Sequence, residues 1–436
     1  MTEAAVVLVT ASIFLWGIVS GRLERADLTA PIVFMVVGAL FAWMDLVNPT
    51  TAPDTLKPLV ETTLVWVLFS DAARVPLREL RADAGQVGRL LGIGLPLTIV
   101  AGWVLALWLF PGLGVWLALL IAAALAPTDA ALGVPVVTNP AVPSRIRRLI
   151  TVESGLNDGI VTPVVMLALA GAASAEDVAD APSLATAAAE LATGALVGSA
   201  VGAVGGWLLR RARRSGWAGE EFAGIAVLAL ALLAYGTALG LNGNGFIAAF
   251  CGGLAFGAAA GRRGPAELAF LEQTSGLVSL LVWLAFGAIT VPLVLDRLDL
   301  MTVLYAVLSL TVVRMVPVGV ATLGAGLDRE SVLFVGWFGP RGLASLVFAL
   351  LALEELGAGA EKAVTVIAVT VLLSVLAHGA TAGPLAQRYG RAERARGPER
   401  GGSVPDMPVR GLPRRAPAGD VPGPTRPGGQ SGGASG

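Results

Sequence analysis

Of 436 residues, one is cysteine, one is histidine and three are tyrosine. A lone Cys251 excludes an intramolecular disulfide framework and a cysteine-based metal cluster. A lone His378 argues against a zinc or haem centre. Charge is scarce as well: 14% of the residues are charged, against about 25% in an ordinary soluble domain. The 30 basic and 31 acidic side chains nearly cancel, so no net field points to a nucleic-acid partner. No nucleotide loop is visible either. Asn242-Gly243-Asn244-Gly245 reads as a tight turn between apolar runs, with no strand before it. Neither a nucleotide nor a resident cofactor is expected.

What fills the chain is apolar. Hydrophobic residues make up 55% and the mean hydropathy is +0.77, more apolar surface than a water-soluble fold can cover with so few charges. The pattern predicts an all-α membrane protein whose partner is the lipid bilayer. A span needs about 20 mostly apolar residues, and about 13 such helices are expected. They fall near 3–20, 29–47, 56–73, 85–110, 113–138, 148–174, 184–211, 220–240, 244–259, 268–294, 300–324, 330–353 and 362–388. The first lacks a basic leading region and is followed by Arg22 and Arg25, so it reads as a span and not a cleaved signal.

Basic residues alternate between loops. Those after odd-numbered spans carry Arg22, Arg25, Arg74, Arg78, Arg81, Arg145, Arg147, Arg148 and the cluster Arg210, Arg211, Arg213 and Arg214. Those after even-numbered spans carry Lys57, Arg297 and Lys362, and the loop after the sixth is acidic (Glu176, Asp177, Asp180). The positive-inside rule then puts the N-terminus outside and the C-terminus in the cytoplasm, in a cell (inner) membrane. An odd span count requires the same. Residues 391–436 are rich in Gly, Pro, Arg and Ser, and are expected to be a disordered, solvated cytoplasmic tail.

Ionisable groups inside spans are costly and therefore functional candidates. The sixth span holds Glu153-Ser154-Gly155-Leu156-Asn157-Asp158. At helical spacing Glu153 lies over Asn157 and Ser154 over Asp158, giving two adjacent polar stripes on one side. Such oxygens suit a hard monovalent cation. A low-dielectric site also disfavours the charged form of a carboxylate, as a proton carrier requires. Arg314, in the eleventh span, needs an anion, and Glu153 is the natural partner. If they pair, Asp158 is left as the single exchangeable carboxylate.

Two spans are interrupted by proline beside a charge: Ala126-Pro127-Thr128-Asp129 and Gly339-Pro340-Arg341-Gly342. Non-helical backbone at membrane depth survives only inside protein or beside a cavity. Asp129 can answer a half-helix N-terminus and Arg341 exposed carbonyls at a C-terminus. An acid at one break and a base at the other point to a midplane site between inverted repeats. The transmembrane unit is read as 1–390, with repeat one at about 1–175, a linking helix at about 184–211 and repeat two at about 219–390. Of the remaining groups, Asp71 reads as either a lining residue at the site's entrance or a partner of Arg74. Glu61 reads as a packing or supporting residue, and Glu190 and Glu272 as interfacial. His378, placed near the cytoplasmic end of the last span, reads as structural.

These motifs, with the Val313-Arg314 pair, Phe69-Ser70-Asp71 and Gly245-Phe246-Ile247-Ala248-Ala249-Phe250, resemble the monovalent cation:proton antiporter family of the NhaP and animal sodium/proton exchanger type. The resemblance runs from about residue 5 to 388. It implies an NhaA/NhaP-like fold with two six-helix repeats and crossing broken helices, and a homodimer. It implies that Asp158 binds cation (Na⁺ or K⁺) and H⁺ alternately, that Thr128 and Ser154 are cation ligands, and that Glu153 holds the site. It further implies that Arg314 bonds both Glu153 and Asn157, that the Asn157-Asp158 pair accompanies electroneutral exchange, that Asp129 and Arg341 sit at the crossing, and that Asp71 lies near the ion. The sequence departs from many relatives at Ala130 and Pro340, and a large regulatory domain is not expected. An ion channel would need a filter repeat or a charge ring, and an intramembrane aspartyl protease would leave Arg341 and the Glu153–Asn157 stripe unexplained.

Overall fold

The computed structural model describes residues 3–23, 28–44, 46, 53–75, 84–129, 132–175, 183–261 and 265–395. Each of the expected spans contains helix, though not all are continuous. In chain order they are α1 (Glu3–Leu23), α2 (Ala30–Trp43), α3 (Pro53–Arg74), α4 (Ala84–Arg89), α5 (Leu95–Leu109), α6 (Val115–Ala124), α7 (Val134–Val137), α8 (Ser144–Ala175) and α9 (Leu184–Arg214). There follow α10 (Glu220–Gly240), α11 (Gly245–Ala259), α12 (Pro265–Arg297), α13 (Leu300–Leu310), α14 (Val312–Ala321), α15 (Arg329–Trp337), α16 (Leu343–Leu356) and α17 (Glu361–Ala395). Among the described residues no strand occurs. By length and composition eight helical stretches among the described residues can cross a membrane, and α2, α6 and α11 are shorter apolar helices.

Several expected spans are less regular than their composition suggests. The fourth runs from α4 into α5 through a π-turn at Leu90–Gly94. The eleventh bends at Thr311 (φ −108°, ψ −87°) between α13 and α14. There the Thr311 hydroxyl donates back to Val307 O at 2.6 Å, a bond that competes with the helix ladder. The fifth and twelfth are interrupted, over 125–129 and 338–342, where proline removes a ladder donor. At the C-terminal end α17 continues to Ala395, beyond the expected start of the tail. Residues 396–436 lie outside the described residues, as do Arg25, Arg78, Arg81, Glu176, Asp177 and Asp180.

Burial sorts the helices. α1 has no buried residue in its spanning window, whereas α8, α16 and α17 are largely enclosed. The tightest helix pair is α9 on α11. Gly194, Gly198, Gly202 and Gly206 recur every fourth residue along α9. A Cβ added at the first three would strike the backbone of Asn244, Ala248 and Gly252. Small residues at this spacing let two backbones approach when lipid supplies no hydrophobic drive. α11 in turn presses Gly253 and Gly257 against the carbonyls of Phe69 and Ala73 on α3, and α2 packs on α12 through Gly38 and Gly287.

Gly198→Val is accordingly expected to destabilise the fold by about 1–3 kcal/mol, the range for overpacking a closed interface. The midpoint of thermal unfolding of the detergent-purified protein reads this out. Gly17→Val on α1 is the control, because nothing lies within 4 Å of a Cβ there. Equal midpoints for the two variants would contradict the close α9–α11 contact.

Candidate functional site

The two interruptions lie against each other. Asp129 N donates to Pro340 O at 2.7 Å, a backbone bond between segments over 200 residues apart. Each break carries a charge, and each charge serves the other break. The Arg341 Nη1 group donates to the carbonyls of Ala126 (2.7 Å) and Pro127 (3.0 Å), which follow the C-terminus of α6. The Asp129 carboxylate accepts the N–H of Leu343 at 3.0 Å, at the N-terminus of α16. Acid on a helix N-terminus and base on a C-terminus are the favourable pairing with the helix dipole. Sequence reasoning identified both charges but not that they work crosswise. The flanking glycines make room for this. A Cβ at Gly342 would strike the Asp129 carboxylate, and one at Gly339 would strike Arg314 Nε. Ala130 lies outside the described residues.

The middle of α8 packs beside the crossing. Glu153 (2% exposed), Ser154 (3%) and Asn157 (0%) are buried with Thr128 (1%) and Arg314 (1%). Thr128 Oγ1 joins the two polar stripes of α8. It lies 2.8 Å from Ser154 Oγ and accepts from Asn157 Nδ2 at 2.8 Å. Arg314 Nη1 lies 2.7 Å from Glu153 Oε1, so that charge is neutralised inside the protein. Among the described residues the second bond implied for Arg314, to Asn157, does not form. Asn157 turns its amide nitrogen to Thr128, while its Oδ1 and the Arg314 Nε and Nη2 groups have no hydrogen-bond partner. Asp158 keeps 9% of its surface against 2% for Glu153, so it is the more exposed of the two residues. Its own carbonyl accepts from Thr162 Oγ1 at 2.7 Å.

Asp71 reaches this region from α3. Its backbone carbonyl and Cβ lie 3.7 and 3.9 Å from where a Cβ on Gly155 would stand, so α3 meets α8 between Ser154 and Asp158. Arg74, the partner considered for Asp71, forms an ion pair with Glu272. Glu61 accepts from the Tyr235 hydroxyl at 3.0 Å and links α3 to α10, apart from the crossing. Glu190 contributes its backbone carbonyl to Asn244 N at 2.8 Å, beside the turn into α11. Sequence reasoning missed Ser374, whose Oγ accepts the Arg341 N–H at 2.7 Å. It also placed His378 near a helix end, whereas His378 is 2% exposed in mid-α17, against the second break. The signal was present: Ser374, His378 and Thr381 share one side of α17 at i, i+4 and i+7.

The enclosed ion pair gives a direct test. Glu153→Leu and Arg314→Met each leave a buried charge without its partner and are expected to cost about 3–5 kcal/mol. The double variant is expected to regain most of that loss. Thermal unfolding midpoints of the four proteins decide it, and simply additive losses would argue against the pair.

Comparison with known proteins agrees with this architecture. The chain resembles the sodium proton antiporter MjNhaP1 from Methanocaldococcus jannaschii in fold, with a TM-score of 0.74 over 89% of this chain and 99% of that one, at 18% identity. In sequence it is 27% identical over 256 residues to the uncharacterized Na(+)/H(+) exchanger YjcE of Escherichia coli (strain K12), covering 57% of this chain and 45% of the relative. It is 25% identical over 358 residues to the K(+)/H(+) antiporter NhaP of Alkalimonas amylolytica, covering 79% of this chain and 60% of the relative. The chain thus spans about half the length of the curated relatives it matches. The family model described as sodium/hydrogen exchanger, transmembrane, matches residues 8–388. With that match running from α1 into α17 and through both helix breaks, the chain belongs to the sodium/hydrogen exchanger family of multi-pass membrane proteins.

Proposed function

We propose that this chain is a secondary transporter, not an enzyme, that exchanges a monovalent cation, Na⁺ before K⁺, for H⁺ at Asp158. The observation that carries the reading is the polar cluster on the turn of α8 that bears that carboxylate. Thr128, Ser154 and Asn157 form one bonded cluster there, and the Glu153 charge on the same helix is cancelled by Arg314. Thr128 and Ser154 supply neutral oxygens for the ion, and Asp71 approaches from the α3 side. Asp129 and Arg341 hold the crossing and do not bind the ion.

The mechanism is competition. Asp158 takes H⁺ or the cation, never both. A site neutralised by either can cross the low-dielectric barrier, whereas the empty, charged site faces a desolvation cost and stays in place. Coupling follows from that rule, without ATP. One charge in for one charge out makes the exchange electroneutral, and its use to the cell is pH and sodium homeostasis. We place the protein in the cell (inner) membrane as a homodimer, with its N-terminus outside and its C-terminus in the cytoplasm. Its transmembrane unit covers 1–390, and its inverted repeats, at about 1–175 and 219–390, are joined by the helix over 184–211. A K⁺/H⁺ exchange is the second reading, favoured by the name of the Alkalimonas amylolytica relative.

Dequenching of a pH-sensitive dye in everted vesicles or proteoliposomes tests this, on addition of Na⁺, K⁺ or Li⁺. The wild type is expected to dequench with at least one cation, and Asp158→Asn to match protein-free vesicles. Thr128→Ala and Ser154→Ala are expected to raise the half-saturating cation concentration roughly tenfold each, the worth of one strong polar contact. A correctly inserted wild type that answers no cation across the neutral pH range would end the antiporter reading. A rate that responds to an imposed membrane potential would end the electroneutral one.

A further inference from the structure

Both edges of the second interruption are tied to α17. Ser374 Oγ accepts the Arg341 N–H at 2.7 Å. One turn on, His378 Nδ1 lies 3.1 Å from that hydroxyl and 2.8 Å from the Ser374 carbonyl. His378 Nε2 lies 2.8 Å from the carbonyl of Trp337, the last residue of α15. A further turn on, Thr381 Oγ1 accepts the Trp337 indole N–H at 3.0 Å. The His378 and Trp337 rings also lie against each other, with centroids 5.2 Å apart. Ser374 is fully buried and His378 is 2% exposed, so water has little access to these bonds.

The donors and acceptors limit how the ring works. Each ring nitrogen faces a carbonyl, Nε2 that of Trp337 and Nδ1 that of Ser374, and a carbonyl only accepts, so the neutral ring donates to one of the two. With the proton on Nε2 the ring holds Trp337 O and Nδ1 accepts from the Ser374 hydroxyl; with it on Nδ1 the ring holds the Ser374 carbonyl; in either form the Ser374 hydroxyl oxygen takes the Arg341 N–H. The chain of bonds continues into the first break. The Arg341 guanidinium holds Ala126 O and Pro127 O immediately before Thr128, and Pro340 O holds Asp129 N immediately after it.

We propose that His378 is a positioning residue for the cation site. Through Ser374 and the Trp337 carbonyl it sets the path of residues 338–342, and through Arg341 and Pro340 it sets where Thr128 stands against Ser154 and Asn157. It does not touch the ion, and its role needs no change of charge. The inference rests on the reading of this region as the exchange site.

The test is cation-driven proton flux in proteoliposomes at matched amounts of folded protein, for wild type, His378→Ala, His378→Gln and Ser374→Ala. His378→Ala orphans a buried carbonyl and a hydroxyl and is expected to raise the half-saturating cation concentration roughly five- to tenfold, more than it lowers the maximal rate. Glutamine has a donor that reaches as far as Nε2 and an acceptor beside it. It is expected to restore half-saturation to near wild type, with the wild-type pH profile because it does not titrate. Ser374→Ala is expected to move half-saturation in the same direction, which keeps the test alive if His378→Ala does not fold.

An unchanged half-saturating concentration in folded His378→Ala and Ser374→Ala would overturn the proposal, as would a glutamine variant as impaired as alanine. A His378→Gln protein with a displaced pH profile would overturn it in favour of a titrating ring. A wild type silent to every cation is a different failure. It would remove the exchange activity itself, and this inference with it.

Discussion

Where two membrane-spanning helices stop midway, carbonyls at one stump and N–H groups at the other face an apolar interior. Each such group left alone costs several kcal/mol. Arg341 and Asp129 answer this requirement in trans. The base from the second break covers the carbonyls of the first, and the acid from the first covers an N–H of the second. Neither break is satisfied without the other, so the two interrupted segments form one structural unit although they lie far apart in sequence. Thr128 and its neighbours are positioned by that unit, and the oxygen cluster on α8 depends on it in turn.

The same unit settles the local charge balance. Asp129, Arg341, Glu153 and Arg314 sum to zero, and all four are committed to backbone groups or to each other. A buried ion pair contributes little net stability by itself, because desolvation consumes most of the Coulombic gain. Its consequence here is a boundary condition. With Glu153 neutralised, Asp158 is the more exposed of the two acidic residues on this stretch of α8. Under the exchange proposed above an ion or a proton binds there, and the bonded hydroxyls of Thr128 and Ser154 would offer the ion oxygens that add no charge.

Much of this was legible in the sequence. The helical segments follow from apolar runs, and both interruptions follow from Pro127 and Pro340. The Glu153–Arg314 pair follows from the demand that a buried cation find an anion. What was not legible has two physical origins. Contacts between distant segments leave no local pattern, so Asp129 and Arg341 could be matched to helix ends but not to each other's helix. Bonds that compete with the helix ladder are also silent in composition. The bend at Thr311 and the π-turn at Leu90–Gly94 sit inside uniformly apolar stretches. The missing Asn157–Arg314 bond belongs with them, because an amide's choice between Thr128 and an arginine is decided by geometry that spacing does not report.

Two kinds of contact therefore hold the protein together, and they differ in what they permit. α9, α11 and α3 meet through glycines, backbone on backbone, with no side chain to rearrange. Such contacts resist sliding, because any displacement meets main chain. The crossing is held instead by hydrogen bonds between side chains and exposed backbone, which keep the two breaks together but leave few apolar surfaces interlocked. α8 touches both sets, since Gly155 rests against Asp71 of α3 and Gly159 against Phe250 of α11. The four residues from Gly155 to Asp158 thus stand where the glycine-packed helices end and the polar crossing begins. The exchange proposed above needs such a seam, because its site must face one side of the membrane and then the other, and Asp158 lies on it.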